Sequence, residues 1–204
     1  DDTAALSSFV KGYIHFMEES SIEKALEKIN KLRVLVTVKE GDYGLYTINR
    51  KIEKILQTLR PDLIHPNTSF YHNRPIIITK NNYELGLFNG DIGIVRKDPT
   101  TQKLKVFFEA LEKGLPPRAY SPASLNDCET VFAMTIHKSQ GSEFDSVMVI
   151  MPTKSDNLIL TRELLYTGVT RAKSNACIMG TEEVLKAGIE RRVVRLSGVH
   201  KRLS

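Results

Sequence analysis

Apolar side chains at helical spacing dominate residues 1–60 and predict amphipathic helices there. The first stripes consist of Leu6, Phe9, Val10, Tyr13 and Ile14, followed by Ile22, Ala25, Leu26 and Ile29. A β-branched run at residues 34–38 predicts a buried strand, and residues 46–59 return to a helical pattern that Pro61 should end. This part of the chain is therefore expected to place helices around one buried strand.

Residues 61–128 follow a different pattern, with seven of the eight prolines and no long helical repeat. Short strand-like runs occupy residues 75–79, 91–96 and 103–108, and turn signals separate them. The dipeptide Asn89-Gly90 favours a tight turn because both residues tolerate positive φ. These features predict a small antiparallel barrel or sheet.

Residues 129–204 return to alternating strands and helices. The predicted strands are residues 131–136, 146–151 and 175–179, and the predicted helices are residues 161–173 and 182–194. Strand–helix alternation predicts a parallel sheet covered on both faces. We therefore predict one α/β domain formed by residues 1–62 and 129–204, with a small antiparallel β-barrel, residues 63–128, inserted into it.

Composition narrows the functional classes only slightly. A net charge of +5 is compatible with a nucleic-acid partner, and no apolar run reaches the length of a membrane span. Cys128 and Cys177 are interpreted as buried or incidental thiols of a reducing compartment, and the histidines show no metal spacing. We expect a cytoplasmic protein with no membrane partner and no metal site. The start at Asp1, without Met, suggests a piece of a longer protein.

A polar loop between two predicted strands, residues 135–145 (TIHKSQGSEFD), is the first candidate for chemistry. Loops at strand ends of α/β sheets are where ligands bind. Thr135, Lys138 and Ser139 offer donors to phosphate oxygens, Gly141 permits close backbone approach, and Glu143 offers acceptors to a ribose hydroxyl. An ordinary connecting loop explains the same composition.

The second candidate is Arg171, in residues 164–173 (LLYTGVTRAK). On the predicted helix it would project from the carboxyl-terminal part, where the helix dipole favours a positive charge. That placement alone explains an arginine. The alternative is an arginine finger that reaches a γ-phosphate across a domain boundary.

Taken together, the two stretches closely resemble motifs V and VI of superfamily-1 helicases. Their detailed sequences resemble those of the RecD branch, the alpha subunit of bacterial exodeoxyribonuclease V. Residues 80–93 (KNNYELGLFNGDIG) resemble the hairpin of the small barrel in the second motor domain of that branch, and residues 44–49 (GLYTIN) resemble the region after its motif IV strand. The resemblance spans residues 33–198 and implies a RecA-like parallel-sheet domain with an inserted barrel.

The resemblance also implies roles for particular residues. Arg171 would contact the γ-phosphate of ATP as the catalytic group, and Gly141 and Glu143 would line the nucleotide. The residues assigned to the backbone of single-stranded DNA are Thr135, His137, Lys138 and Ser139. In the inserted barrel, Tyr71, Asn73 and Arg74 are weaker candidates for DNA contacts, and a solvated loop explains them equally well.

Family membership further implies 5′→3′ movement on DNA and a complex with two larger subunits in double-strand break repair. The chain departs from a complete motor because it has no Gly-Lys pair for a P-loop and no Asp-Glu pair for magnesium. ATP with Mg²⁺ would be held mainly by a preceding P-loop domain, so the chain alone should not hydrolyse ATP. It also lacks a Glu-x-Lys nuclease motif. The alternative is a stand-alone DNA- or protein-binding adaptor with no ATP role; a P-loop encoded upstream of Asp1 would distinguish the motor.

Overall fold

The computed structural model describes residues 2–112, 114–154 and 158–192, and it contains one parallel and one antiparallel sheet. The helices are α1 (Asp2–Val10), α2 (Ile14–Met17), α3 (Ile22–Ile29), α4 (Leu45–Leu59), α5 (Arg162–Val169) and α6 (Glu182–Glu190). The strands are β1 (Leu32–Val36), β2 (Pro75–Ile78), β3 (Ile92–Lys97), β4 (Leu104–Phe108), β5 (Arg118–Tyr120), β6 (Cys128–Thr130), β7 (Ala133–Thr135), β8 (Phe144–Ile150) and β9 (Ala172–Met179).

The parallel sheet has the strand order β7-β1-β8-β9 and separates two apolar layers. Successive side chains of a strand point to opposite faces. Accordingly, Val34 and Val36 of β1 join the core formed with α1–α4, whereas Leu35 joins a second core with Leu164 of α5. The predicted parallel sheet is confirmed, with an apolar core on each face of its strand β1.

The antiparallel sheet has the order β5-β4-β3-β2-β6 and its own core. That core contains Ile76, Ile78, Val95, Val106 and Phe108. The three strands expected in this region are present, whereas the three-residue strands β5 and β6 escaped prediction. Among the described residues no ladder joins β5 to β6, so the hydrogen-bonded ring is open. Strand β6 crosses the predicted boundary between residues 128 and 129; the domain limits remain predictions. We call residues 63–128 the inserted module.

A buried arginine joins the inserted module to the helical layer. Arg96 of β3 is 7% exposed, and its guanidinium donates to the backbone oxygens of Phe16 (2.5 Å) and Glu19 (2.9 Å). These carbonyls lie at the end of α2 and beyond it, where helical partners run out; the Phe16 oxygen also accepts from the Glu19 N–H at 3.3 Å. Asn73 forms a hydrogen bond within the inserted module, because its side chain donates to the Leu63 oxygen at 2.8 Å.

Several element ends differ from the prediction. Strand β1 ends at Val36 rather than at residue 38, and β7 is confined to residues 133–135. Helix α5 ends at Val169, four residues before the predicted end, and β9 begins at Ala172 instead of residue 175. Helix α6 ends at Glu190, and the last two residues of its predicted range lie outside the described residues.

The two edge strands of the parallel sheet, β9 and β7, differ in how far other parts of the protein bury them. At the β9 edge, residues 173–178 are exposed on both faces, including Cys177. Of the two interpretations of Cys177, a buried thiol is therefore wrong and an incidental thiol stays open. Cys128 is half-buried, and both thiols are free. Within the described part of the chain, no helix is long and apolar enough to cross a membrane.

At the β7 edge, a side-chain amide takes the place of a neighbouring strand. Asn49 of α4 accepts from the Ala133 N–H (2.9 Å) and donates to the Ala133 and Leu45 oxygens, each at 3.1 Å. Asn49 is 6% exposed. The amide therefore satisfies both outward-facing backbone groups of Ala133, which would otherwise form an open sheet edge.

We expect Asn49→Asp to destabilise the protein by about 1–3 kcal/mol or more, because the carboxylate cannot donate to the two buried carbonyls. Urea unfolding measures the loss. The control is Asn67→Asp, at an exposed asparagine, which should cost less than about 0.5 kcal/mol. Equal stability of the two variants would contradict the role of Asn49.

His72 lies within the inserted module, next to the end of β3. Its Nδ1 accepts from the Lys97 N–H at 3.4 Å, and burial lowers its pKa from 6.5 to about 4, with Arg96 and Lys97 adding to the effect. Protonation of His72 is therefore less favourable in the folded than in the unfolded state. The stability that neutral His72 contributes is complete above pH 6.5 and is lost as the pH falls toward 4.

The free energy of unfolding should thus decline between about pH 6.5 and pH 4, and His72→Gln should decline less because glutamine stays neutral. Urea titrations of both proteins at several pH values measure the difference. Parallel pH profiles would show that His72 contributes nothing.

Candidate functional site

The loop formed by residues 136–143 carries most of the candidate residues. It leaves β7 after Thr135 and enters β8 at Phe144, and both strands run parallel to β1. Thr135 is level with Ile150 across β1, whereas Phe144 precedes the Leu32–Ser146 pair at the other end. At about 3.3 Å per residue, the two ends lie roughly 15–20 Å apart. The loop therefore divides the candidates between the carboxyl edge and the amino edge of the sheet.

At the carboxyl edge, Thr135, His137 and Lys138 line a cleft of about 450 Å³ between the sheet and the inserted module. We call it the carboxyl-edge cleft, and Lys39 and Thr79 are among its other lining residues. His137 is exposed, and Thr135 and Lys138 are partly exposed. The structure thus brings three of the four predicted DNA-binding residues to one surface.

The turn after β7 directs Lys138 toward the inserted module. Thr135 Oγ1 accepts from the Lys138 N–H at 3.2 Å, and Lys138 Nζ donates to Asn89 Oδ1. Partial burial lowers the pKa of Lys138; Glu129 opposes that shift and the charge of Lys39 adds to it. The cleft is therefore a place where an added anion would relieve repulsion between two ammonium groups.

Ser139, the fourth residue predicted to bind DNA, is fully buried. Its hydroxyl donates to the Ile136 oxygen at 2.7 Å, and its N–H bonds to the Thr135 oxygen at 3.1 Å. The side chain supports the turn from inside, so a DNA contact by Ser139 stays a prediction that would require this hydrogen bond to open.

A second cleft, of about 550 Å³, adjoins the first and shares Leu45, Glu129 and Thr130 with it. Of the weaker candidates, Arg74 lines this second cleft. Tyr71 and Asn73 are 5% and 0% exposed, and their polar atoms bond to Glu53 and to Leu63 inside the protein. Their arrangement fits structural contacts better than contacts to DNA.

At the amino edge, Arg171 lies in the turn between α5 and β9 rather than on the helix, so its predicted placement within α5 is wrong. Thr170 caps the helix, and its hydroxyl donates back to the Tyr166 oxygen at 2.8 Å. Pairing of Ala172 with Phe144 then begins β9. The Arg171 oxygen accepts from the Phe144 N–H at 2.8 Å. This hydrogen bond holds the end of the loop against the turn between α5 and β9.

The guanidinium of Arg171 bridges α5 and the loop. Nε donates to the Thr167 oxygen at 3.1 Å, and Nη1 donates to the Ser142 oxygen at 3.3 Å. Thr167 belongs to the last turn of α5, where a cation is favourable. Glu143 is exposed and forms a loose ion pair with Lys173 at 3.7 Å. We call Ser142, Glu143, Arg171 and Lys173 the amino-edge cluster.

Gly141 precedes this cluster with φ of +85°, a conformation that strains other residues, and nothing lies within 4 Å of a Cβ placed there. Gly168 serves another purpose, because its missing Cβ would meet Ile136 Cδ1 at 3.0 Å. Gly141 thus allows the loop its conformation, and Gly168 lets α5 pack closely against Ile136 at the start of the loop.

Sequence reasoning missed Lys39 and Asn49. Lys39 follows β1 just as His137 follows β7, and carboxyl ends of neighbouring parallel strands meet at one edge, so that rule could have identified it. Asn49 gave no such signal. In the described ranges, no group of three or more His, Cys, Asp or Glu side chains is placed to hold a metal ion.

Comparison with known protein families identifies two segments. Residues 130–179, which contain β7, the loop, α5 and β9, match the UvrD-like helicase C-terminal domain. Residues 48–108, which begin in α4 and run through β4, match the SH3 domain of ATP-dependent RecD-like DNA helicases. Both matches agree with the predicted resemblance to the RecD branch, whereas the limits of the inserted module stay a prediction.

Curated relatives extend the match over most of the chain. The RecBCD enzyme subunit RecD of Mycobacterium tuberculosis (strain ATCC 25618 / H37Rv) is 40% identical over 88% of this chain and 30% of its own length. RecD of Haemophilus influenzae is 35% identical over 86% of this chain and 26% of its own length. The chain thus spans less than a third of these relatives.

Among solved structures, the Pif1 helicase from Candida albicans covers 95% of this chain, with a TM-score of 0.47 and 14% identity, and the match covers 58% of that protein. Pif1 from Bacteroides in complex with ADP-AlF3 and ssDNA gives the same score over 94% of this chain and 51% of its own. The two family matches and the RecD relatives carry the assignment: the chain belongs to the RecD-type superfamily-1 helicase family and corresponds to a C-terminal part of its members.

Proposed function

We propose that this chain forms the second motor domain of an ATP-dependent 5′→3′ DNA helicase in double-strand break repair and recombination. Arg171 would complete an ATP site whose phosphate-binding loop lies on a preceding domain, while the carboxyl-edge cleft binds single-stranded DNA. The observation that supports this proposal most is the single loop, residues 136–143, which connects Arg171 and Glu143 at one edge to Lys138 at the other.

The amino-edge cluster offers the groups that a nucleotide would need from this domain. A guanidinium carries five N–H donors, and the two carbonyl contacts of Arg171 leave donors for a phosphate. The space above Gly141 is open, and the exposed Glu143 carboxylate could accept from a ribose hydroxyl. ATP with Mg²⁺, held mainly by the preceding domain, would supply the phosphoanhydride bond whose hydrolysis drives movement.

The loop gives a physical route between nucleotide and DNA. Arg171 holds the loop through the Ser142 oxygen, and the far end of the same loop positions Lys138 through Thr135. A change in what the guanidinium binds would therefore alter the loop that presents Lys138 to the DNA backbone. Backbone contacts of this kind suit a motor that must move over any sequence.

The proposal also includes the partners of the protein and its location in the cell. The protein would act with a preceding P-loop motor domain and with the two larger subunits of an exodeoxyribonuclease V complex, in the cytoplasm. The M. tuberculosis relative is itself a subunit of the RecBCD enzyme, which supports this assembly. Residues 1–204 alone are expected to show neither ATPase nor nuclease activity.

Arg171→Ala in the full-length protein should lower the DNA-stimulated ATPase kcat by roughly 10³-fold or more, the scale of an arginine finger. Arg171→Lys keeps the charge but loses the forked donors, so it should rescue little. Steady-state phosphate release measures both. Arg162→Ala, at an exposed arginine in the first turn of α5, is the control and should stay near wild type. Turnover of Arg171→Ala within tenfold of wild type would remove Arg171 from the site.

Lys138→Ala should weaken binding to single-stranded DNA and lower the slope of log K against log salt by about 0.7, the value for one phosphate contact. Fluorescence anisotropy at several salt concentrations gives the slope. The exposed Lys97 provides the control, Lys97→Ala. An unchanged slope for Lys138→Ala would mean that Lys138 does not contact phosphate.

A further inference from the structure

The connection between β2 and β3 exposes two aromatic side chains that touch each other. Tyr83 is 79% exposed and Phe88 is 45% exposed, and their ring centroids lie 6.1 Å apart at an interplanar angle of 79°. Scattered exposed apolar residues are normal, whereas a contacting aromatic pair forms a continuous apolar surface. None of the contacts described above gives this pair a role.

The connection holds the pair rigidly. Asn82 and Leu87 exchange two backbone hydrogen bonds, at 2.7 and 3.0 Å, and Leu87 is fully buried in the core of the inserted module. The Asn89 N–H donates to Asn81 Oδ1 at 2.8 Å. Both rings are thus mounted on a folded turn, which lowers the entropy lost when a flat partner binds them.

The same turn reaches the carboxyl-edge cleft. Asn89, the residue after Phe88, accepts the hydrogen bond from Lys138 Nζ, and Thr79 at the start of the turn lines the cleft. Phe88 is therefore the chain neighbour of the residue that binds the Lys138 ammonium group, which is proposed to bind a DNA phosphate. An aromatic surface next to a cationic groove is the arrangement with which proteins hold single strands.

We propose that Tyr83 and Phe88 form a stacking platform for an unpaired base of single-stranded DNA whose backbone lies along the carboxyl-edge cleft. This inference rests on the proposed DNA-binding function of that cleft. Lys138 would exchange its hydrogen bond to Asn89 for one to a phosphate, and the adjacent base would stack on the rings. Stacking reads no particular sequence, because every base has an aromatic face.

Charge favours a base rather than a phosphate at the platform itself. Glu84, next to Tyr83, is exposed and would repel a phosphate, while Lys138 lies on the cleft side of Asn89. The neighbouring amides of Asn81 and Asn89 add donors and acceptors suited to base edges. This arrangement would orient the strand with its backbone toward the cleft and its base toward the rings.

Binding of the full-length protein to oligothymidylate, and to the same strand with abasic positions, tests the proposal. Tyr83→Ala and Phe88→Ala should each raise the Kd for oligothymidylate by roughly 5- to 100-fold, the scale of one base–aromatic stack. On the abasic strand these changes should have almost no effect, since no base is left to stack. Tyr83→Phe keeps the ring and should bind like wild type.

Two further variants separate this inference from the proposed function. Lys138→Ala should weaken binding to both strands, since both keep their phosphates, and Ile189→Ala, at an exposed aliphatic residue of α6, should change neither. If wild type binds DNA and Lys138→Ala weakens it while the aromatic variants bind normally, the platform is overturned and the cleft stands. Absence of DNA binding by wild type would overturn both.

A protein partner for the aromatic pair gives a different result. Normal DNA affinity together with impaired assembly of a multisubunit enzyme would assign Tyr83 and Phe88 to a protein contact and overturn the platform. Because both side chains are exposed, the alanine variants should keep the thermal midpoint of wild type, and circular dichroism checks this.

Discussion

The structure depends on how the chain crosses from β7 to β8. Parallel strands oblige the connection to travel from the carboxyl edge of the sheet to its amino edge, and here residues 136–143 make that passage without a full helix between them. Everything placed on the loop is consequently assigned to one edge or the other. Lys138 and Glu143 are close in sequence, yet the topology separates them by most of the length of a strand.

The fixed points of that passage are hydrogen bonds to backbone atoms. Thr135 holds the first turn, Arg171 holds the Ser142 oxygen near the end, and Asn49 keeps β7 in place from outside the sheet. The inserted module is bound to the same framework through Arg96 and contacts the loop through Asn89. The loop thus lies between the parallel sheet and the inserted module, and both of these are anchored to the helical layer.

The sequence could predict what local periodicity determines. Helix α4 was located to within one residue, because its apolar stripe is long and Pro61 follows it. The end of α5 was missed because no glycine or proline marks it. The pairing of Ala172 with Phe144 follows it closely, and this pairing is a tertiary contact. Asn49 was invisible for the same reason, since its partner lies 84 residues away. The motifs indicated candidate residues whose roles stay predictions, and the split between the edges and the burial of Ser139 required the strand order.

The two outer strands of the parallel sheet differ in how accessible they are to a further strand. Asn49 occupies the hydrogen-bonding groups of β7 at Ala133, so a further strand could pair there only by displacing a buried amide. Pairing beside β9 would require no such displacement, because residues 173–178 are exposed. A neighbouring chain or domain that continues the sheet would thus add beside β9, close to Arg171, and would bring its own residues to the amino edge.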